Sequence, residues 1–574
     1  MPRATAWAPG GAPPAPLARP GAGEGAAPND EGSALIDEGF VGWPPELAQR
    51  DRESGLWQGR TLYDMLACSA GRWPQHTALV DGDRRLGCAQ LLAQVDTYAA
   101  GLRALGLRRG ERVVFQLANG IELVAAFFAL MRLGVVPVLA LPAHRRSEIA
   151  HFVQASQASA LFVSDLVRDF DHRTMAREVA AQCPTLRHVL VDGQALEGQI
   201  ALRELGLQAA PDGLPPIASS AVALMLLSGG TTGLPKLIAR THDDYLCGCL
   251  HSAQVAGLGP DAVMLALLPM AHNYTLGAPG FVGALACGAT TVIARSTRAE
   301  AVLPLIERER VTLACAAAPL IARWLASDLI AAHDVSSLRT LMCGGSRLAP
   351  ELRRRVERSF GCEYQESYGT AEGLLNMTRL GDAEPLRLHS SGRPVCEADE
   401  VRIVDEHGRE VPDGVAGELQ TRGPYTIRGY WRAPQADAAA FTADGFYRMG
   451  DRVSRVDGYL YVHGRLREQI NRGGEKISCE EIENEILAHP DVASVSVVGL
   501  PDAEFGERAC AVAVLRAGAR LDLEALRQFL KGREIARFKW PERLEIVDEL
   551  PLSPAGKVLR RELQRRFAPP SKEA

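Results

Sequence analysis

The stretch Ser228-Gly229-Gly230-Thr231-Thr232-Gly233-Leu234-Pro235-Lys236 carries the densest chemical signal in the chain. It directly follows the apolar run Ala221–Leu227, which reads as a buried strand. Three glycines let main-chain N–H groups approach anionic oxygens closely, three hydroxyls add donors, and Lys236 adds positive charge. Together these suit a loop that cradles phosphate. A flexible Gly/Thr linker would not be expected to follow a buried strand and close on Pro-Lys. A Walker loop is excluded, because it ends in Gly-Lys-Ser/Thr where this one ends in Pro235-Lys236-Leu237.

Further candidate stretches follow: Gly344-Gly345-Ser346, Tyr368-Gly369-Thr370-Ala371-Glu372-Gly373, Gly417-Glu418-Leu419, Tyr447-Arg448-Met449-Gly450-Asp451, Gly464-Arg465-Leu466-Arg467 and Pro551-Leu552-Ser553-Pro554-Ala555-Gly556-Lys557. In this order, and over about residues 45–565, they resemble the acyl-adenylate-forming superfamily of acyl-CoA ligases, luciferases and peptide-synthetase adenylation domains. The resemblance implies ATP and Mg²⁺ as cofactors, with Glu372 as the metal ligand, a hard oxygen donor suited to Mg²⁺ beside phosphates. It places Thr370 at the α-phosphate, Asp451 and Arg465 at the ribose, and Gly344, Gly345 and Ser346 along adenine, with Tyr368 and Gly369 on its other face. A carboxylate attacking a phosphate meets like charge, a repulsion of roughly 4 kcal/mol at 4 Å and an effective dielectric near 20. The resemblance assigns the compensating cation to Lys557, with His272 and Thr370 as further catalytic residues. Arg467 corresponds to the hinge about which a C-terminal domain swings Lys557 out, bringing Asn471–Lys476 in for thioester formation.

Within that superfamily, Ala271-His272-Asn273-Tyr274-Thr275-Leu276-Gly277-Ala278-Pro279-Gly280 and Glu468–Glu483 resemble the stand-alone aryl-acid activators of siderophore assembly. The acid is expected against Asn273, Tyr274, Ala278 and Leu375. Asn273 occupies the position where α-amino-acid enzymes carry Asp; a neutral amide can bond an ortho-hydroxyl but cannot balance an ammonium. Relatives taking 2,3-dihydroxybenzoate generally have Ser at Ala278 and Val at Leu375. An unpaired 3-hydroxyl costs about 1–3 kcal/mol, roughly 10- to 200-fold in discrimination. Salicylate is therefore the expected acid, 2,3-dihydroxybenzoate the next, and an ortho-substituted benzoate or hydroxypicolinate-like acid stays open. The expected acceptor is the phosphopantetheine thiol of an aryl carrier protein. An aryl-CoA ligase is the alternative, and a catalytically silent acyl-AMP sensor is disfavoured by Lys557, Glu372 and Asp451.

The elements that must position these residues read as layered α/β. Glu122–Leu133 predicts a buried helix, and Val135–Leu141, Val222–Leu227, Val263–Leu268 and Thr290–Ala294 predict buried strands of largely parallel sheets. Between about 395 and 462, turns at Glu406-His407-Gly408, Pro412-Asp413-Gly414 and Asp457-Gly458 predict a β-rich subdomain. The expected divisions are a disordered Ala/Pro/Gly-rich extension over 1–40, an adenylation domain over 41–465, and a small mobile α+β domain over 466–574. With 574 residues, 47% apolar and 23% charged, the chain reads as a globular protein of at least two domains. Its net charge of −6 gives no basic face for nucleic acid, and no segment reaches the roughly 20 apolar residues of a membrane span. Twelve scattered cysteines without a C-x-x-C pair, and no signal core, predict buried reduced thiols and a cytoplasmic location.

Overall fold

The computed structural model describes residues 38–207, 214, 216–228, 235–345, 347–466, 469–472, 475–502, 505–533, 537–553 and 556–568. The expected disordered extension up to residue 37, the loop residues Gly229, Gly230, Thr231, Thr232 and Gly233, Ser346 and the expected hinge Arg467 lie outside the described residues. From residue 38 the chain is docked: the Arg432 amide donates to the Gly39 carbonyl at 3.0 Å.

Two large sheets form the body. One has nine strands among the described residues, in the spatial order Arg393–Pro394, Gly373–Met377, Glu363–Thr370, Thr340–Gly344, Leu313–Ala316, Val263–Ala266, Thr290–Ile293, Thr77–Asp81 and Arg84–Gly87. The other has seven: Leu237–Thr241, Val222–Leu227, Val136–Leu139, Arg112–Gln116, Ala160–Ser164, His188–Asp192 and Ile200–Ala201. Neighbours in the middle of both pair in parallel; antiparallel strands close both edges of the nine-stranded sheet and the Leu237–Thr241 edge of the other, whose far edge Ile200–Ala201 is parallel. Unbroken apolar runs such as Val222-Ala-Leu-Met-Leu-Leu227 suit this arrangement, because helices cover both faces of a parallel sheet. The expected strands are present, though Val136–Leu139, Val263–Ala266 and Thr290–Ile293 stop short of the apolar runs that predict them.

The expected buried helix spans Ile121–Leu133 and ends on Gly134 in the left-handed conformation, φ +69°. Its Phe127 and Phe128 pack edge-on against Phe281, at centroid separations of 5.8 and 6.3 Å. Phe281 lies on the helix Gly280–Ala286, directly after the short helix Asn273–Gly277, so the core of the body backs the segment that carries Asn273. Asn119 ties the same loop down, donating to the Leu268 carbonyl at 2.9 Å and accepting from the Met270 amide at 2.8 Å.

The β-rich subdomain is a four-stranded antiparallel sheet of Glu400–Val404, Gly417–Arg422, Tyr447–Val456 and Tyr459–Arg465. Beyond it, Gln469–Arg472, Glu475–Ser478, Val492–Asp502, Gly506–Leu515 and Arg543–Ile546 form a separate sheet with the helices Cys479–Leu487, Leu523–Gly532 and Arg560–Phe567. Its apolar cluster around Ile482, Val497, Ala511 and Leu526 is its own. All twelve cysteines are free thiols, and none is exposed. No helix among the described residues is long and apolar enough to cross a membrane.

Candidate active site

Ser228 stands at the end of the strand Val222–Leu227, and Lys236 stands just before its antiparallel partner Leu237–Thr241. The two residues close the base of the intervening loop. The Ser228 amide donates to the Lys236 carbonyl at 3.0 Å, and the Lys236 amide donates to Ser228 Oγ at 2.9 Å. Lys236 Nζ lies 4.1 Å from the centre of the Tyr430 ring, a cation–π contact. The Tyr430 hydroxyl in turn donates to Glu372 Oε1 at 3.0 Å. Burial, reinforced by Glu372, pushes the Tyr430 phenol well up, so it remains a donor. The loop base, Glu372 and Tyr430 thus form one connected cluster.

Neighbouring strands carry the next group. Gly344 ends Thr340–Gly344, and a Cβ there would fall 2.7 Å from the Tyr274 ring, so glycine is what lets that ring lie against the strand. Gly345 turns the chain at φ +83°. On the adjacent strand, the Tyr368 hydroxyl donates to Asp451 Oδ2 at 2.5 Å, and Arg465 pairs with Oδ1 at 2.7 Å. Asp451 and Arg465 are register partners across the strands Tyr447–Val456 and Tyr459–Arg465, so the Tyr368–Asp451 bond ties the β-rich sheet to the body. Thr370 donates through Oγ1 to the Gly373 carbonyl at 2.9 Å.

Beside Thr370 lies a small cavity lined by Arg240, Tyr245, Gly248, Asn273, Gly277, Thr370, Gly373, Leu375 and Tyr425. Among the described residues, no carboxylate lines it. Its one charged side chain is already engaged: Arg240 donates to Asp244 at 2.5 Å, to the Ala371 carbonyl at 2.8 Å and to the Tyr425 carbonyl at 3.0 Å. A second, larger cleft involving His407, Arg448, Arg452, Glu481 and Lys539 shares no lining residue with this cavity.

Two of the contacts between the C-terminal unit and the body bear on the site. The Lys557 loop is closed by Gly556 donating to the Ser553 carbonyl at 2.8 Å and Lys557 donating to Ser553 Oγ at 3.1 Å. A Cβ on Gly556 would lie 3.6 Å from Cβ of Ala317, so this loop meets the body's surface. Burial pushes the His272 imidazole down to about 4, and the nearby Lys557 ammonium pushes it the same way. The imidazole is therefore neutral near pH 7, and its Nδ1 accepts from the Tyr274 amide at 3.3 Å. Arg347 makes the other contact, lying 3.9 Å from Glu480 of the C-terminal unit while anchored to the Val462 and His389 carbonyls.

The profile of the AMP-binding enzyme family matches residues 66–431, and that of the AMP-binding enzyme C-terminal domain matches residues 481–557. The chain belongs to the AMP-binding enzyme family. The 2,3-dihydroxybenzoate-AMP ligase of Bacillus subtilis (strain 168) is 44% identical over 533 residues, covering 92% of this chain and 98% of that protein. The salicyl-AMP ligase / salicyl-S-ArCP synthetase of Mycobacterium tuberculosis is 43% identical over 555 residues, covering 96% and 97%. The apo structure of Mycobacterium smegmatis MbtA is 42% identical and superposes with a TM-score of 0.72, covering 93% of this chain and all of that one.

As an AMP-binding enzyme the chain uses ATP, and the layered α/β fold with a small C-terminal unit is as expected from the sequence. Of the residues singled out there, Asn273, Thr370 and Leu375 meet in the cavity, whereas Tyr274 and Ala278 are buried but are not part of its lining. The Tyr274 hydroxyl turns instead to the Met342 carbonyl at 3.2 Å. Arg240, Tyr245, Gly248 and Tyr425 line the cavity without having been singled out. Arg240 and Tyr245 carried one faint sign: they flank Thr241-His242-Asp243-Asp244, an acidic helix start directly after a buried strand.

Proposed function

We propose that this enzyme condenses an aryl carboxylic acid with ATP, giving aryl-AMP and pyrophosphate, and then passes the aryl group to the phosphopantetheine thiol of an aryl carrier protein. The observation that carries this reading is the cavity beside Thr370: it is lined by Asn273, Leu375 and Tyr425, and among the described residues no carboxylate lines it to balance an ammonium. A flat acid suits it, and an α-amino acid does not. Salicylate is the favoured substrate, because Leu375 adds bulk and no hydroxyl where a 3-hydroxyl would need a partner.

In the first step a carboxylate oxygen attacks the α-phosphorus, the bond to the bridging oxygen breaks, and pyrophosphate leaves. Lys557, near enough to His272 to act on its imidazole, offsets the meeting of two anions. The loop based on Ser228 and Lys236 holds the phosphates, Thr370 contacts the α-phosphate, and Asp451 with Arg465 holds the ribose. Glu372, buried and fixed by Tyr430, is a single hard oxygen donor near the loop, which fits Mg²⁺ shared with ATP phosphates better than an all-protein cage. The metal would supply positive charge to the departing pyrophosphate. In the second step the C-terminal unit turns about Arg467, the thiol sulfur attacks the acyl carbon, AMP leaves, and the thiol proton passes to solvent. ATP as co-substrate and free, unexposed thiols are in keeping with a cytoplasmic setting.

The deciding test offers the enzyme, ATP, Mg²⁺ and salicylate either a phosphopantetheinylated aryl carrier protein or coenzyme A, read by intact mass. Carrier acylation well ahead of salicyl-CoA is expected. Equal or faster release of salicyl-CoA would replace this reading with an aryl-CoA ligase.

A further inference from the structure

The wall of the acid cavity contains a relay behind Asn273. Tyr245, on the helix His242–Val255, is 3% exposed, and its hydroxyl donates to Asn273 Oδ1 at 3.0 Å. A buried phenol must place its proton on an acceptor, and the Asn273 carbonyl takes it. Two features hold the phenol there. The Arg240 guanidinium lies 5.2 Å from the centre of the Tyr245 ring, itself fixed by Asp244 and two main-chain carbonyls. Across from it, Gly277 leaves the space the hydroxyl needs, since a Cβ at 277 would fall 2.6 Å from the Tyr245 oxygen and 2.7 Å from Cys249 Sγ.

The consequence concerns which end of the amide meets the substrate. With Oδ1 engaged by Tyr245, the planar Asn273 amide turns Nδ2 the other way, and both residues line the cavity. We infer that Tyr245 is a positioning residue that makes Asn273 a donor toward the ortho position of the bound acid, so that the enzyme selects acids with an ortho acceptor and rejects those with an ortho donor. Salicylate satisfies this, because its hydroxyl proton can turn to its own carboxylate, leaving oxygen lone pairs facing Nδ2. Anthranilate does not, because its amino group presents N–H to N–H and its nitrogen lone pair is delocalised into the ring. The inference rests on the proposal that an aryl acid occupies this cavity, and it adds the sign of the ortho selection and the residue that sets it.

The test is acid-dependent ATP–pyrophosphate exchange with salicylate, benzoate and anthranilate on wild-type enzyme, Tyr245→Phe and Gly277→Ala. Wild-type kcat/KM is expected to fall in that order, with salicylate at least about ten-fold above benzoate, the scale of one hydrogen bond to a buried partner. In Tyr245→Phe the amide is free to flip, so the anthranilate-to-salicylate ratio should rise about ten-fold or more, whatever the change in absolute rate. Benzoate has no ortho group, so it separates positioning from general damage. Gly277→Ala, which displaces the hydroxyl, should move the ratio the same way. A wild-type enzyme that prefers anthranilate to benzoate overturns the inference even if neither variant folds. So does an unchanged ratio in a Tyr245→Phe enzyme that still uses benzoate. Exchange with none of the three acids would instead overturn the aryl-acid reading itself.

Discussion

Tyr368 donates to Asp451 Oδ2 at 2.5 Å while Arg465 holds Oδ1 at 2.7 Å, so both oxygens of a buried carboxylate are fixed where the body meets the β-rich sheet. Charge-assisted bonds of this kind are worth about 1.5–3 kcal/mol each. Asp451→Asn removes the charge while keeping the shape. The KM for ATP should rise about ten-fold or more, with the KM for salicylate changing less than about three-fold. Steady-state kinetics with each substrate varied in turn checks this, and an equal rise in both would place Asp451 outside the nucleotide site.

Lys557→Ala should slow adenylation by about 10²–10³-fold, the scale for deleting one partner of developing charge. Transfer from preformed salicyl-AMP to carrier thiol should survive far better, because the proposed turn of the C-terminal unit takes Lys557 out of the site before that step. Single-turnover assays of the two half-reactions separate these outcomes. Equal losses would contradict the two-position account of the C-terminal unit.

Leu375 lines the cavity and Ala278 does not, so the two residues are expected to differ in effect. Leu375→Val removes one methylene, worth roughly 1 kcal/mol or somewhat more, and should shift kcat/KM about five-fold or more toward 2,3-dihydroxybenzoate relative to salicylate. Ala278→Ser alone should shift the ratio less than about three-fold. Competition between the two acids, read by mass of the acylated carrier, measures both.

What the sequence made legible was local. The strand before Ser228, the Lys236 that closes the loop and the helix Ile121–Leu133 are each written in a few adjacent residues, because apolar runs and glycine placement act over short distances. The cavity wall is different. Tyr245 matters through Asn273, and Arg240 matters through the carbonyls of Ala371 and Tyr425, contacts between segments far apart in the chain. No periodicity encodes them. The same reason explains Ala278: a position beside Asn273 in sequence reads as pocket, yet after the short helix Asn273–Gly277 it turns into the core.

Three histidines predict an acid-side loss of stability. Burial holds His172, His242 and His272 each down to about 4, with Arg145 adding to the effect on His172 and Lys557 to that on His272. Their unfolded value is near 6.5. The folded pKa is depressed, so the contribution is fully present above about pH 6.5 and is lost as pH falls through 4. The limit is about 3 kcal/mol for each of the buried His172 and His242. Urea unfolding at pH 7 and pH 5 should show the drop. His242→Gln should flatten it, which isolates the histidine from Asp192, whose carboxyl burial pushes up to about 6 and which acts in the opposite sense.

We propose that the cavity beside Thr370 delivers a flat, ortho-hydroxylated aryl acid to ATP. ATP–pyrophosphate exchange measured across salicylate, 2,3-dihydroxybenzoate, benzoate and a set of α-amino acids tests it most directly. Exchange should depend on added aryl acid, be strongest with salicylate, and stay at background with the amino acids. Exchange supported by an α-amino acid, or absent with every aryl acid, would contradict it.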